Sequence, residues 1–513
     1  MRASLKPRTI LQSGANLAVH ISILKPLALS LAIALGVAAC ATVPPDRNIY
    51  PRQDLAKVQL AADIKLASEG WPDRQWWTRY GDPQLERLVT QALAASPTLE
   101  IAAARIDAAR TTLAFNRADK GANVNLNVEG TRQRYSSNGL FPAPIGGAYY
   151  TEAIVQVQAS YDFDWWGKHR AQIAAALGEV NAQRADYAQA EQLLAAATAQ
   201  SYFSLQGGWA RLANLRRTIN MQNDIVADTS KRVAHGLAAI DQQRMAESEL
   251  GVLDKQAAQL EAQTAAEREA LRALVAGDSN ALADLKPRQL SEQLTDNPHA
   301  LPARLGMELL ARRPDLQAAR WRVEASLSRI EATQAAFYPD INLSASAGLD
   351  SISMGNLLTA ASRTLFLGPT LSLPLFDSKR LDARLESSRA ERNWLIADYN
   401  QSVLNAVRDV AQQAISVRGL ENQISRQDDV MQAGRDLLQN AQAKFRQGLA
   451  DRNAVLNAGV SLSRQEDESL QLHSQQQLAE VALIKALGGG YRIDSAAPGA
   501  APAQISTQTE SSQ

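Results

Sequence analysis

Two periods alternate along the chain, one helical and one extended, and the whole alternation occurs twice. Leu316, Ala319, Val323, Leu327 and Ile330 recur at three- and four-residue steps, as one face of a helix requires. Arg312-Arg313-Pro314-Asp315-Leu316 opens that helix, with Pro314 in the first turn, where its missing N–H costs nothing. The helix is expected to run to about Phe337 and to end before Pro339, because the residue before a proline is pushed out of the α region. Beyond Pro339 the period becomes two. Ile341, Leu343, Ala345, Ala347 and Leu349 point one way; Asn342, Ser344, Ser346 and Gly348 point the other.

The earlier copy starts at Ser96-Pro97-Thr98-Leu99, with Ala102 and Ile106 in the places of Ala319 and Val323, and passes into Val124-Asn125-Leu126-Asn127-Val128. Pro97 to Val124 is 27 residues, and so is Pro314 to Ile341. A repeat of that fidelity predicts one structural unit used twice. A second strand follows in each copy. In the first, a polar, glycine-rich loop (about 131–151) leads to Val155, Val157, Ala159, Tyr161 and Phe163, alternating with Gln156, Gln158, Ser160 and Asp162. In the second, Leu365, Leu367, Leu371, Leu373 and Leu375 carry the pattern. Such strands fit a half-buried antiparallel sheet or a transmembrane barrel. Four strands cannot close a barrel alone, and open edges cannot sit in lipid, so either the sheet is soluble or several chains share one barrel.

Each strand pair precedes a very long helix. The 65 positions from Lys168 to about Arg232 contain no proline, and at about 1.5 Å per residue they span about 97 Å. Coiled-coil-like packing is implied, and the alanines at 174–176, 182, 185, 188 and 195–197 permit close approach. The pair Gly207-Gly208 predicts a kink. His235-Gly236-Leu237 interrupts, and a return helix runs from Asp241 to about Ala276, ending at Gly277. In the second copy a helix from about Leu381 reaches Phe445, Gln447-Gly448-Leu449 turns it, and the last helix runs to Leu487 before Gly488-Gly489-Gly490. Gly236 and Gly448, 212 residues apart, both suit the left-handed position that ends a helix. Ahead of both copies, Asp82-Pro83 reads as an N-cap with proline behind it, starting a helix with Leu85, Leu88, Val89, Ala92 and Leu93 on one side.

Composition narrows the function classes. The 513-residue chain is 46% apolar yet only 5% aromatic, which suits thin helical packing built on small residues. Basic and acidic residues balance at 53 each, so no net charge points to nucleic acid. His20, His169, His235, His299 and His473 are scattered without metal-ligand spacing, and no nucleophile motif, phosphate loop or isolated carboxylate pair is present. The expectation is a protein that is not an enzyme and has no metal or cofactor apart from a covalent lipid. That lipid is expected on Cys40, the single cysteine. Arg2, Lys6, Arg8 and Lys25 precede an apolar run from Leu27 to Ala39, the layout of a secretory signal. Val37-Ala38-Ala39-Cys40 resembles the lipobox of bacterial lipoproteins, where cleavage precedes acylation of the cysteine. Loss of residues 1–39 removes four basic residues and leaves a net charge of about −4. Ala41 and Thr42 are not the aspartate that retains lipoproteins at the inner membrane, so an outer-membrane destination is implied by that resemblance. Nothing after Cys40 reaches 18 consecutive apolar residues, the length of a transmembrane helix.

The expected divisions are a signal peptide at 1–39, a lipid-anchored tether at 40–80, repeats at 81–277 and 303–492 joined by a linker at 278–302, and a disordered tail at 493–513.

Several passages together resemble the TolC-like outer membrane factors, in the lipoprotein branch that serves tripartite drug-efflux pumps. They are Trp76-Trp77 with Asp82-Pro83-Gln84-Leu85, Leu309-Leu310-Ala311-Arg312-Arg313-Pro314-Asp315-Leu316, Ala335-Ala336-Phe337-Tyr338-Pro339, the two Gly-Leu turns, and Ala486-Leu487-Gly488-Gly489-Gly490. The likeness covers about residues 40–492; Asp377-Ser378-Lys379 departs from it, where many members carry glycines. The resemblance implies a mainly α protein with a membrane β-barrel: a homotrimer in which each chain gives four strands to one twelve-stranded barrel, above a periplasmic α-helical cylinder. It implies a passive channel, lipid-anchored in the outer membrane, that meets a periplasmic adaptor protein and, through it, an inner-membrane pump. By match to the family's tip motif, Arg232, Gly236, Leu237, Phe445, Gly448 and Leu449 are the adaptor contacts, and Asp241 and Asp451 are the acids nearest the periplasmic aperture. Either acid could instead cap the returning helix. Alternatives are a duct for protein secretion, a periplasmic coiled-coil structural lipoprotein, which leaves the four period-two segments without a purpose, and a soluble periplasmic enzyme, for which no site is found.

Overall fold

A computed structural model describes residues 43–54, 73–278, 280–288, 312–374 and 377–491. Cys40, the signal, most of the tether and linker, and the C-terminal tail lie outside the described residues. The chain forms two compact units, each assembled from separate stretches. The first takes Met1–Tyr50, Arg110–Gly178 and Val323–Trp394; the second takes Pro51–Ala109, Glu179–Arg322 and Leu395–Gln513.

The order of elements reproduces the twofold alternation. Helices α1 (Pro83–Ala95) and α2 (Pro97–Asp119) lead to β1 (Asn123–Arg134) and β2 (Tyr149–Asp162), then to α3 (Lys168–Ala234) and α4 (Ile240–Leu274). The second copy runs α5 (Pro314–Ala335), β3 (Asp340–Ser351), β4 (Arg363–Ser372), α6 (Ser378–Arg446) and α7 (Arg452–Ala486). Strand β4 stops at Ser372, so Leu373 falls beyond it, and Leu375 lies outside the described residues. Phe163, expected at the end of the second strand, likewise follows β2 rather than belonging to it.

Within the first unit, the four strands form one antiparallel sheet in the order β1-β2-β3-β4. The junction from β2 to α3 is fixed by two aspartates. The Asp164 N–H donates to Asp162 Oδ1 at 2.8 Å, and the Asp164 carboxylate accepts from the backbone N–H groups of His169 and Arg170, satisfying donors that every helix start leaves open. His169 Nε2 lies 2.8 Å from Asp162 Oδ2. The helix-to-strand junction of the second copy, between α5 and β3, is bound to it: Trp166 Nε1 donates to the Pro339 carbonyl at 2.7 Å, and its ring stacks on Tyr338 with centroids 4.6 Å apart. Ile330, Phe337, Leu381 and Leu385 form the small core beneath, with Val43 packed against it. On α3, a Cβ at Gly178 would press on Ala325, so the glycine permits close approach of α5.

The core of the second unit gathers Trp76, Trp77, Tyr80, Leu85, Leu88, Val89 and Ala92 around Tyr202, Phe203, Leu205, Leu271 and Val275. The tryptophan-rich segment thus supplies large side chains where the long helices offer mostly alanine. Asp82 caps α1, accepting from Gln84 N at 2.9 Å, and is itself buried. Its other oxygen accepts from Tyr202 Oη at 2.5 Å and from Arg288 Nη1 at 2.8 Å. Burial, with the Asp82 carboxylate beside it, pushes the Tyr202 hydroxyl far above the ordinary tyrosine value.

At Gly207-Gly208, where a kink is expected, α3 continues unbroken through both residues. A Cβ on Gly207 would collide with Ser474 of α7, and one on Gly208 with Thr264 of α4. The two glycines are therefore spacing residues at helix crossings, and adjacent positions on α3 serve different neighbours because they point in different directions around the helix.

Candidate functional site

The sheet's two faces differ completely in character. Across β1, β2, β3 and β4, register places Val128, Val155 and Leu349 in one row, Leu126, Val157, Ala347 and Leu365 in the next, then Val124, Ala159, Ala345 and Leu367. Tyr161, Leu343 and Pro369 follow, so one face is apolar over these rows apart from Arg363 beside Leu349. That face is exposed: Leu126 is 67% accessible and Leu365 86%. The opposite face carries Asn123, Asn125 and Asn127, then Gln156, Gln158 and Ser160, then Asn342, Ser344 and Ser346. Phe366 on β4 interrupts it as an aromatic on the polar side.

An exposed apolar face of this extent has no place in water. The strands are ten to fourteen residues long, enough to span a hydrocarbon layer when tilted. At the end of the sheet where the helices attach, Tyr161, Phe163 and Trp165 form an exposed aromatic chain with ring centroids 5.0 and 5.8 Å apart. Aromatic girdles of this kind mark the interface of a membrane barrel. Among the described residues, strands β1 and β4 each have one neighbour in the sheet, so both outer edges stay open. The sheet has the two-faced pattern of a barrel wall, with closure left to other copies.

Charge follows the same division. Glu129, Glu152, Asp162, Asp340 and Asp350 all fall on the polar face, whereas Arg132, Arg134 and Arg363 fall on the apolar one.

The second unit contains both helical turns. Gly236 has φ +70°, and the Leu237 N–H donates back to the Arg232 carbonyl at 2.7 Å. Gly448 has φ +71°, and the Leu449 N–H donates to the Lys444 carbonyl at 2.8 Å. Both are left-handed glycine caps, and each throws the following leucine outward: Leu237 is 70% exposed and Leu449 74%. Phe445 is exposed beside the second turn. Arg232 Nη1 lies 2.6 Å from Asp451 Oδ2, which brings the two turns together. Arg452 Nη2 lies 2.7 Å from Asp224 Oδ2 a turn further along, above a small core of Ile225, Ala246 and Val460. Asp451 also caps α7, accepting from Ala454 N at 2.9 Å. That backbone N–H and the Arg232 guanidinium hold its carboxyl below the ordinary carboxylate value. Asp241 occupies the first turn of α4 behind Ala239, the capping residue, and among the described residues makes no side-chain hydrogen bond.

One feature of the N-terminal segment has no signature in the sequence. Residues 43–50 lie extended against α6 within the first unit. Arg389 donates to the carbonyls of Pro44 and Pro45, Arg392 pairs with Asp46, and Asn393 Nδ2 donates to the Asn48 carbonyl at 2.6 Å. Both arginine side chains are 96% buried, and Arg392 holds the Asp46 carboxyl below its ordinary value. Residues 43–50 of the tether are therefore docked on α6.

The family model of the outer membrane efflux protein matches residues 88–277 and 305–489. The chain is 38% identical over 466 residues to the multidrug resistance outer membrane protein MdtP of Escherichia coli K12, covering 89% of this chain and 94% of that protein. With the multidrug resistance outer membrane protein MdtQ of Escherichia coli O6:H1 it shares 34% identity over 470 residues, 89% of this chain and 96% of the relative. Among solved structures, the outer membrane protein VceC of Vibrio cholerae superposes with a TM-score of 0.72 at 28% identity, covering 82% of this chain and all of that one. The outer-membrane channel OprN superposes with a TM-score of 0.77 at 25% identity, covering 88% and 99%. With both sequence repeats matched and the two-faced sheet in place, the chain belongs to the outer membrane efflux protein family.

Proposed function

We propose that this protein is the outer-membrane channel of a tripartite efflux system, passively conducting drugs or other toxic small molecules to the exterior. The observation that carries the reading is the division of the sheet into an exposed apolar face and a polar one, with both edges open. Three copies contribute twelve strands and close the barrel, which removes the edges that lipid forbids. The apolar faces then meet lipid, and the asparagine, glutamine and serine faces line a water-filled lumen. The long helices continue the conduit into the periplasm. No catalytic step is needed, because transport is driven by the pump and the channel supplies a path.

The two turns are the docking points for a periplasmic adaptor that links the channel to an inner-membrane pump. Gly236 and Gly448 set the turn geometry, and Leu237, Leu449 and Phe445 offer the apolar contact. Arg232, engaged with Asp451, holds the paired turns in register and borders the adaptor surface. Asp241 and Asp451 contribute acidic groups near the aperture, Asp451 while also serving as a helix cap. Acylation of Cys40 anchors the chain to the membrane, and the docked segment from Pro44 onward carries that anchor to α6.

The adaptor contact is tested with the double substitution Leu237→Asp and Leu449→Asp in a host lacking its own efflux channel. Both residues are exposed, so trimers should still assemble in the outer membrane. Drug resistance should fall to the level of the empty host, and crosslinking to the adaptor should be lost. Wild-type resistance with intact crosslinking would refute the assignment of the tips.

A further inference from the structure

We propose that Arg132 and Arg134 form a lipid-facing basic surface that binds phosphate groups of anionic lipid in the leaflet at the loop end of the sheet. The inference rests on the barrel reading above and adds to it a specific lipid partner. Three observations carry it.

Register fixes the side on which these residues stand. Arg132 pairs with Thr151 and Arg134 with Tyr149 on the row parity of Val124, Leu126 and Val128, and Arg363 pairs with Leu349 on that same face. All three arginines therefore occupy the face that meets lipid. Their height is fixed as well. Arg132 and Arg134 lie at the end of the sheet that carries the connection 135–148, opposite the end where α2, α3, α5 and α6 attach, whereas Arg363 stands level with Val128 and Val155. The third observation is the local charge. The acids of this end, Glu129, Glu152 and Asp350, all face the other way. Among the described residues no carboxylate forms an ion pair with any of the three arginines. Arg132 and Arg134 instead bracket the exposed ring of Tyr149, with guanidinium carbons 5.6 and 6.0 Å from its centroid.

An arginine in mid-bilayer would be expelled, but near the interface the penalty falls away and long side chains reach the headgroup layer. There the planar guanidinium matches phosphate with two parallel N–H donors. Tyr149 holds two such groups side by side on the surface, which limits the rotamer freedom that binding would otherwise remove. Positive charge without acidic partners, at headgroup depth and on the outer wall, is complementary to a phosphorylated lipid. It is not complementary to cargo, which travels on the other face.

The test uses the full-length protein extracted from the outer membrane in mild detergent, with native mass spectrometry counting bound lipid. The probe is bis-phosphorylated lipid A, compared with its dephosphorylated form and with phosphatidylcholine. Wild-type trimers should retain lipid A in preference to both controls. The double variant Arg132→Gln with Arg134→Gln should retain roughly tenfold less or lower still, while Arg132→Lys with Arg134→Lys falls between the two, keeping the charge but losing the paired donors and the contact with Tyr149. Should the double variant fail to assemble, Arg132→Gln and Arg134→Gln taken singly provide the same comparison. Equal lipid A retention by assembled wild type and variant would overturn the proposal and leave the barrel intact. Displacement of lipid A by inorganic phosphate, with no preference between the two lipid A forms, would show a free anion site and overturn the lipid assignment. Absence of wild-type trimers from the membrane would instead overturn the barrel reading and this proposal together.

Discussion

Arginine at Leu126 is expected to abolish most outer-membrane assembly and at Leu343, beside the interfacial Tyr161, to impair it less, while arginine at Asn125 leaves it near normal. Leu126 and Leu343 stand on the apolar face, in rows with Val157 and with Tyr161 and Pro369; Asn125 stands on the polar face opposite Gln158. A charged side chain on the lipid side of a barrel costs about 2–4 kcal/mol at the midplane, less toward the interfaces. The cost recurs in every copy, so a trimer pays it three times. Trimer yield from purified outer membranes, read as the heat-resistant oligomer on gels, separates the outcomes. Normal yield from both leucine variants would contradict a lipid-facing apolar surface, and failure of Asn125→Arg as well would mean that the sheet tolerates no arginine on either face.

The sheet was the most legible part of the chain. Alternation at 124–128, 155–163 and 341–349 marks which residues share a face, and Pro339 marks where helix gives way to strand. Periodicity of two survives folding because side chains in a strand have no other way to point. The ends were less clear: Leu373 keeps the alternation but lies past Ser372, since the last residues of an edge strand have few neighbours to hold them. Gly207-Gly208 is ambiguous in the sequence for a related reason. Glycine in a helix signals either flexibility or close approach, and only the positions of Thr264 and Ser474 decide between them. The turns at Gly236 and Gly448 were legible because a left-handed residue ending a helix is a local requirement.

Contacts between distant segments were not legible at all. Arg392 and Asp46 are 346 residues apart, and the intervening sequence contains no periodic hint that they meet. Asp82 was readable as an N-cap from Pro83 behind it, but not as the centre of a buried network.

That network carries the second large effect. Asp82→Ala is expected to destabilise the folded chain by about 3–5 kcal/mol, the range for removing one partner of a buried charge pair. The substitution withdraws the α1 cap, and it takes away the acceptor shared by Tyr202 Oη and Arg288 Nη1. Asp82→Asn keeps the cap and some hydrogen bonding but removes the negative charge facing Arg288, so its loss should be intermediate. Arg288→Met in the Asp82→Ala background should recover part of the stability, because an apolar side chain leaves no charge unmatched. Urea denaturation of the detergent-solubilised variants, followed by circular dichroism, measures all three. An Asp82→Ala midpoint equal to that of the wild type would show that the capped helix start is held by the surrounding apolar core of Trp76, Tyr80 and Leu85 alone.

The central claim is that several copies of this chain share one membrane conduit. Its most direct test is the mass and shape of the detergent-extracted outer-membrane protein, by light scattering and negative-stain microscopy. Three chains per particle and a rod much longer than it is wide are expected. A monomer or dimer recovered from the soluble periplasmic fraction would contradict that claim; the repeats and the helices would stand, and the shared barrel would not.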